Sequence, residues 1–126
     1  MNKMPTKIQL HKQSQQLELH FGGEQFLLPA EFLRVHSPSA EVKGHGPGQA
    51  VLQYGKQDVA ISTVERAGNY ALKLVFDDGH DTGIYTWDYL YELGKNQESL
   101  WNMYLDELHR AGKSRAKDTS VVKFIG

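Results

Sequence analysis

Six histidines are the side chains of this sequence best suited to chemistry, and three of them lie in segments typical of loops. His36 and His45 lie in a stretch rich in proline and glycine, residues 36–50, and His80 follows a sequence typical of a hairpin turn. Imidazole binds zinc and iron well, so the three histidines would form a metal site if the two loops met in the fold. Their spacing lacks the short fixed interval of common metal motifs. The alternative to a metal site is that these histidines hydrogen-bond to the backbone of their own loops. No residue pattern in the sequence requires a cofactor.

Aromatic residues cluster after the histidine turn. Aromatic side chains at helical spacing belong more often to a core than to a binding site. One small core cannot hide all of them, so some are expected to stay exposed. The pair nearest His80 is Tyr85 and Trp87. Together with Pro38 and Pro47 of the proline-rich stretch, they form the predicted partner-binding surface.

Composition excludes several classes of function. Cysteine is absent from the 126 residues, which removes disulfides, thiolate nucleophiles and cysteinyl zinc sites. No serine lies in a Gly-x-Ser-x-Gly motif, so a serine hydrolase is not indicated. The 14 basic and 15 acidic residues nearly cancel, and such a chain lacks the charge of a general binder of nucleic acid or anionic membrane.

The same sequence predicts where the protein resides. No run approaches the roughly 18 apolar residues of a membrane-spanning helix. The first residues, MNKMPTKIQLHKQ, lack the apolar stretch of a secretory signal. We therefore expect a cytoplasmic protein with no membrane partner.

The elements that must position these side chains begin with strands. Alternating apolar and polar residues, bounded by turn residues, are typical of half-buried strands. This pattern predicts strands over residues 6–11, 16–21, 25–28, 51–54, 59–64, 70–76 and 81–86. Pro29 ends the third strand, and a short helical turn follows it.

Two helices are predicted after the strands. Thr86 is a suitable N-cap for the first, which Gly94 is expected to end. The second begins near Asn96 or Ser99, carries an inward stripe that includes Met103, and ends at Gly112.

The order of the elements predicts an α+β fold. Five to seven short, mostly antiparallel strands would form a small sheet packed against the C-terminal helical pair. We expect one domain over residues 1–112. Residues 113–126 form a tail that is basic and then apolar, which we expect to be loosely ordered unless Val121–Phe124 docks as a strand.

Two segments of the chain resemble the gamma-butyrobetaine hydroxylase-like N-terminal domain family, long catalogued as a bacterial domain of unknown function. One is LRVHSPSAEVKGHGPGQ, residues 33–49, and the other is FDDGHDTGIYTWDYL, residues 76–90. The second segment is the more specific, because it combines an acidic-Gly-His turn, a tyrosine-containing strand and a tryptophan that opens a helix. The resemblance extends over residues 6–110.

This resemblance implies a metal site that the chain has altered. In the carnitine-pathway hydroxylases the domain precedes an iron- and 2-oxoglutarate-dependent catalytic barrel, and it holds zinc on a Cys-Pro-Cys-x-x-Cys stretch and a distant histidine. His80 matches that histidine, whereas Ser37, Ser39 and Val42 stand where the cysteines would be. Hydroxyl groups are poor zinc ligands and an isopropyl group is none. The 126 residues also leave no room for the barrel, so the oxygenase activity is not expected here.

We therefore expect a non-enzymatic accessory or binding module with a protein partner. The family also occurs attached to P-loop ATPases that carry iron–sulfur clusters, which implies a link to iron–sulfur or metal metabolism. One alternative is a metal-binding protein, a metal-dependent enzyme or a metal sensor that uses zinc or iron at His36, His45 and His80. Another is the separately encoded regulatory half of a 2-oxoglutarate oxygenase.

Overall fold

The computed structural model describes residues 4–117, which fold into six strands and four helices. In chain order they are β1 (Lys7–His11), β2 (Gln16–Phe21), β3 (Glu24–Pro29), α1 (Ala30–Val35), α2 (Ala40–Lys43), β4 (Ile61–Ala67), β5 (Ala71–Phe76), β6 (Gly83–Thr86), α3 (Trp87–Lys95) and α4 (Gln97–Ala111). The predicted α+β class is confirmed. The single predicted sheet is wrong, because the strands form two antiparallel three-stranded sheets, β1-β2-β3 and β4-β5-β6.

The first sheet follows from strict alternation along its central strand, β2. Leu17 and Leu19 are fully buried, while Glu18 and His20 on the opposite face are partly exposed. Leu17 lies opposite Leu10 of β1 and Leu28 of β3. Because side chains alternate between the faces of a strand, this register turns one apolar face towards the core.

The second sheet is built around β5 in the same way. Leu72, Leu74 and Phe76 are buried on one face of this strand, as the alternation predicts. The neighbouring strand β4 begins at Ile61, and its pairing with β5 shifts register between Ile61 and Thr63. The inward faces of both sheets join α1 and α3 in one apolar core.

Residues 51–54 do not form the predicted strand. The Val51 N–H donates to the Val42 carbonyl at 2.8 Å, and the Gln53 carbonyl accepts from the Tyr104 hydroxyl at 2.8 Å. The segment is thus held by a short helix and by a side chain of α4. A run of apolar residues becomes a strand only where another strand pairs with it, and here no strand among residues 4–117 does so.

Most of the predicted ends of α3 and α4 agree with the structure. The Thr86 hydroxyl accepts a hydrogen bond from the Tyr89 N–H at 3.1 Å, so the predicted N-cap of α3 is confirmed. Gly112 ends α4 in the left-handed conformation, with φ of 67°. Gly94 does not end α3, because the helix continues to Lys95. Met103 does not point inward and is 61% exposed.

The described part of the predicted tail, residues 113–117, lies against the domain. Two backbone N–H groups of the loop before β4 donate to the carbonyls of Ser114 and Arg115, both at 3.0 Å. The remainder of the tail, with the predicted docking strand at 121–124, lies outside the described residues. Among residues 4–117 no helix is long and apolar enough to cross a membrane.

Candidate functional site

The two loops singled out by the sequence meet at Ser37 and His80. Ser37 follows the end of α1, and His80 lies in the turn between β5 and β6. A hydrogen bond of 2.8 Å joins Ser37 Oγ to His80 Nε2, and both side chains are buried. The predicted approach of the proline-rich stretch to the histidine turn is therefore confirmed, through a serine that the metal-site prediction left out.

A carboxylate completes this Ser37–His80 junction. Glu41, in the first turn of α2, places Oε1 3.6 Å from His80 Nδ1. The Thr82 hydroxyl donates to the same Glu41 oxygen at 2.5 Å. Serine, histidine and glutamate in this order resemble a nucleophile, a base and the group that orients the base. Ser37 is nevertheless fully buried, and its Oγ also accepts from the Ser39 N–H at 3.3 Å, so the junction is closed to a substrate.

Burial at the junction favours a neutral imidazole. Burial lowers the pKa of His80 and the nearby Arg34 guanidinium lowers it further, while the Glu41 and Asp78 carboxylates oppose this shift without reversing it. Arg34 Nε donates to Asp78 Oδ2 at 2.9 Å, and Lys56 Nζ donates to the same oxygen at 2.6 Å. Burial alone would raise the pKa of Asp78, but these hydrogen bonds and charges outweigh it and hold the pKa below its ordinary value.

His36 and His45 do not join His80 in a metal site. His36 Nδ1 donates to the Phe32 carbonyl at 2.9 Å, which directs its ring towards α1, and burial lowers the pKa of this imidazole. His45 is exposed on the loop after α2. Within residues 4–117, no group of three or more His, Cys, Asp or Glu side chains is placed to hold a metal ion.

The predicted partner-binding surface at Tyr85 and Trp87 is wrong, because both side chains belong to the core. Tyr85 is fully buried and its hydroxyl donates to the Leu33 carbonyl at 2.5 Å. Trp87 is buried too, and its Nε1 donates to the Asn69 carbonyl at 2.7 Å. The alternation along β6 turns Tyr85 inward, and Trp87, in the first turn of α3, belongs to the same apolar core. Of the two predicted prolines, Pro38 is half-buried and Pro47 is exposed.

Exposed large apolar side chains occur on several elements, and two of them lie on the segment mistaken for a strand. Val51 is 54% exposed and Tyr54 is 47% exposed, and half-buried Leu52 lies between them. We call these three residues the loop surface. Leu52 packs against the small apolar cluster formed by Val35, Tyr104 and Leu108. Val51 and Leu52 also line a cavity of about 300 Å³ beside Tyr104. The sequence does indicate this segment, because residues 51–54 are mostly apolar. That pattern was interpreted as a strand and not as an exposed loop.

Comparisons with known proteins agree with this architecture. The family described as gamma-butyrobetaine hydroxylase-like, N-terminal, matches residues 8–91. The chain belongs to this family.

Solved structures similar to this family member include the following three. Two are NMR solution structures. One has 61% sequence identity, a TM-score of 0.84 and coverage of 98% of both chains. The other has 50% identity, a TM-score of 0.79 and coverage of 92% of this chain and 87% of its own. The third is a crystal structure of a protein of unknown function, of the DUF971 family, from Acidithiobacillus ferrooxidans. It has 35% identity, a TM-score of 0.59 and coverage of 72% of this chain and 92% of its own. Among curated proteins, no match is found.

The zinc site that the family resemblance implies does not fit the residues of this gamma-butyrobetaine hydroxylase-like domain. Ser37 Oγ is hydrogen-bonded to His80 Nε2, so the imidazole nitrogen that would face a metal already has a partner. Val42 is buried and offers no donor atom. Ser39 Oγ is buried without a hydrogen bond among the described residues. At two of the implied ligand positions, a hydrogen bond to His80 and the packing of an apolar side chain are found where thiolates would be needed.

Proposed function

We propose that the protein is a non-enzymatic binding module that recognises a protein partner through the loop surface. The observation that carries this proposal is the exposure of Val51 and Tyr54 on a segment that is fixed at both sides. Large apolar side chains exposed close together in sequence are candidates for an interaction surface. Here α2 and α4 hold the segment through Val42 and Tyr104, so little conformational freedom is lost when a partner binds.

The closed Ser37–His80 junction supports the non-enzymatic part of the proposal. A nucleophile must contact its substrate, and Ser37 has no exposed surface. The junction instead joins the end of α1 to the turn between β5 and β6, and Ser37 lines the same cavity as Val51 and Leu52. By analogy with the family, we propose a partner in iron–sulfur or metal metabolism. The cytoplasmic location expected from the sequence remains part of this proposal.

The test compares two double variants of the complete chain. Val51→Ser/Tyr54→Ser removes the apolar loop surface. Leu27→Ser/Ile84→Ser is the matched control, because it removes two exposed apolar side chains from β3 and β6. Both variants are first checked for the NMR spectrum of the folded protein.

Crosslinking in cells, followed by quantitative mass spectrometry, then measures partner recovery. We expect the loop variant to lose roughly tenfold or more of a specific partner, because truncating an interface anchor commonly costs that much affinity. The control should retain the partner at the wild-type level. Equal recovery by both variants would overturn the proposed surface. Recovery of an iron–sulfur protein or a 2-oxoglutarate oxygenase would identify the pathway.

A further inference from the structure

A buried carboxylate in α1 is neutralised from the far end of the chain. Glu31 lies in the first turn of α1, and its side chain is only 8% exposed. Arg115 Nε donates to Glu31 Oε2 at 2.9 Å, and Arg115 Nη2 donates to Glu31 Oε1 at 2.7 Å. Two parallel hydrogen bonds of this kind match the fork of a guanidinium group, which an ammonium group cannot reproduce.

An aromatic ring completes the surroundings of this guanidinium. The Arg115 Cζ atom lies 5.1 Å from the centroid of the Trp101 ring on α4. A guanidinium is planar and weakly hydrated, so it pairs well with a carboxylate and an aromatic face together. Glu31 lies on α1 and Trp101 on α4, and the Trp101 ring packs against the apolar core.

The space beside Arg115 is large enough for a further side chain. A cavity of about 570 Å³ adjoins the ion pair, and its apolar wall comes from Pro29, Phe32 and Trp101. Lys95 and Glu98, which carry opposite charges, also line this cavity. Arg115 itself is 38% exposed, whereas Glu31 is buried. An incoming arginine therefore has an apolar wall for its aliphatic stem and a carboxylate for its head group.

We propose that Glu31 and Trp101 form an arginine-recognition pocket, occupied in cis by Arg115, into which a partner protein inserts an arginine that displaces Arg115. Charge complementarity selects this occupant. The buried carboxylate requires a cation, and exchange of one guanidinium for another keeps the charge balanced. This inference goes beyond the loop surface, because it concerns a separate pocket with its own ligand class.

The test empties the pocket and refills it with a small molecule. Arg115→Ala is titrated with N-acetyl-arginine amide while the indole N–H signal of Trp101 is followed by NMR. We expect a saturable shift and a rise in the midpoint of thermal unfolding. N-acetyl-lysine amide should bind roughly tenfold more weakly, because it lacks the planar fork. The wild type should bind the arginine compound more weakly than the variant does, because Arg115 competes.

The matched control is Glu31→Gln/Arg115→Ala, which keeps the space and removes the charge. We expect it to bind neither compound. Equal binding of both compounds by Arg115→Ala, undiminished binding by the control, or no binding at all would overturn the pocket.

If Arg115→Ala does not fold, the Arg115 Nε–H signal of the wild type is followed during titration with a Gly-Arg-Gly peptide. Displacement should move it towards the position of free arginine, and an unmoved signal would overturn the proposal. Concentration-dependent dimerisation of the wild type that Arg115→Ala abolishes would assign the pocket to a second copy of the chain and overturn the hetero-partner.

Discussion

Ser37 Oγ and His80 Nε2 are 2.8 Å apart although 43 residues of sequence separate them. The hydrogen bond joins the end of α1 to the turn between β5 and β6. The two loops that the sequence singled out thus meet, but through a serine and one histidine. The result is a closed, hydrogen-bonded junction, and the exposed apolar residues proposed above as a partner surface lie on a neighbouring loop.

Ser37→Ala should destabilise the protein. The substitution leaves the His80 imidazole buried without its hydrogen-bond partner, which costs about 1–3 kcal/mol of the free energy of unfolding. Ser39→Ala is the matched control, because Ser39 Oγ is buried without a hydrogen bond among residues 4–117. We expect that variant to be as stable as the wild type or more stable. Urea unfolding measures both, and an equal loss in the two variants would contradict the role of the junction.

Stability should fall when the pH drops below 6.5. The pKa of His80 is lowered in the folded state from its ordinary value of 6.5, and so is that of His36. Just below pH 6.5 the unfolded chain therefore binds more protons than the folded chain, so stability rises with pH and is fully present above 6.5. It is lost progressively as the pH falls from 6.5 towards the folded-state values.

The measurement is the urea midpoint at pH 7.5 and at pH 5.5. His80→Gln should reduce the difference between the two midpoints, because the group that gains a proton on unfolding is gone. His45→Gln, which changes an exposed imidazole, should preserve the difference. If both variants show the wild-type difference, burial of His80 does not cause the pH dependence.

Zinc should not shift His36, His45 and His80 together. His36 is bonded to the Phe32 carbonyl and His80 to Ser37, and the described residues assemble no three-ligand group. A titration of the imidazole NMR signals with zinc checks this. Joint displacement of the three signals at micromolar zinc would instead support the metal-binding alternative. His45→Gln then separates a shared site from binding to one exposed histidine.

Gly94→Ala should destabilise the protein although alanine is the better helix former. A Cβ at this position would lie 2.4 Å from the Phe26 ring. Overpacking of this kind typically costs about 1–3 kcal/mol. Adding Phe26→Ala removes the Cγ and Cδ atoms that the new Cβ would meet, so the double variant should lose less stability than the sum of the two single variants. Additive losses in urea unfolding would contradict this contact as the reason for the glycine.

Local features of the fold were determined by the sequence itself. The alternation in residues 16–21 and 70–76 predicts β2 and β5 with the correct buried faces, and Thr86 and Gly112 mark real helix ends. These signals are readable because periodicity and capping depend on residues a few positions apart. The family resemblance, too, rests on short contiguous segments.

Only the tertiary structure decided which residues meet and which face solvent. The division into two sheets, the burial of Tyr85 and Trp87, and the loop at 51–54 depend on partners far along the chain. Glu31 and Arg115 are 84 residues apart, and no local pattern at either residue predicts that they form an ion pair. A local pattern indicates that a residue prefers to be buried or paired. The packing of distant segments determines which residues it contacts.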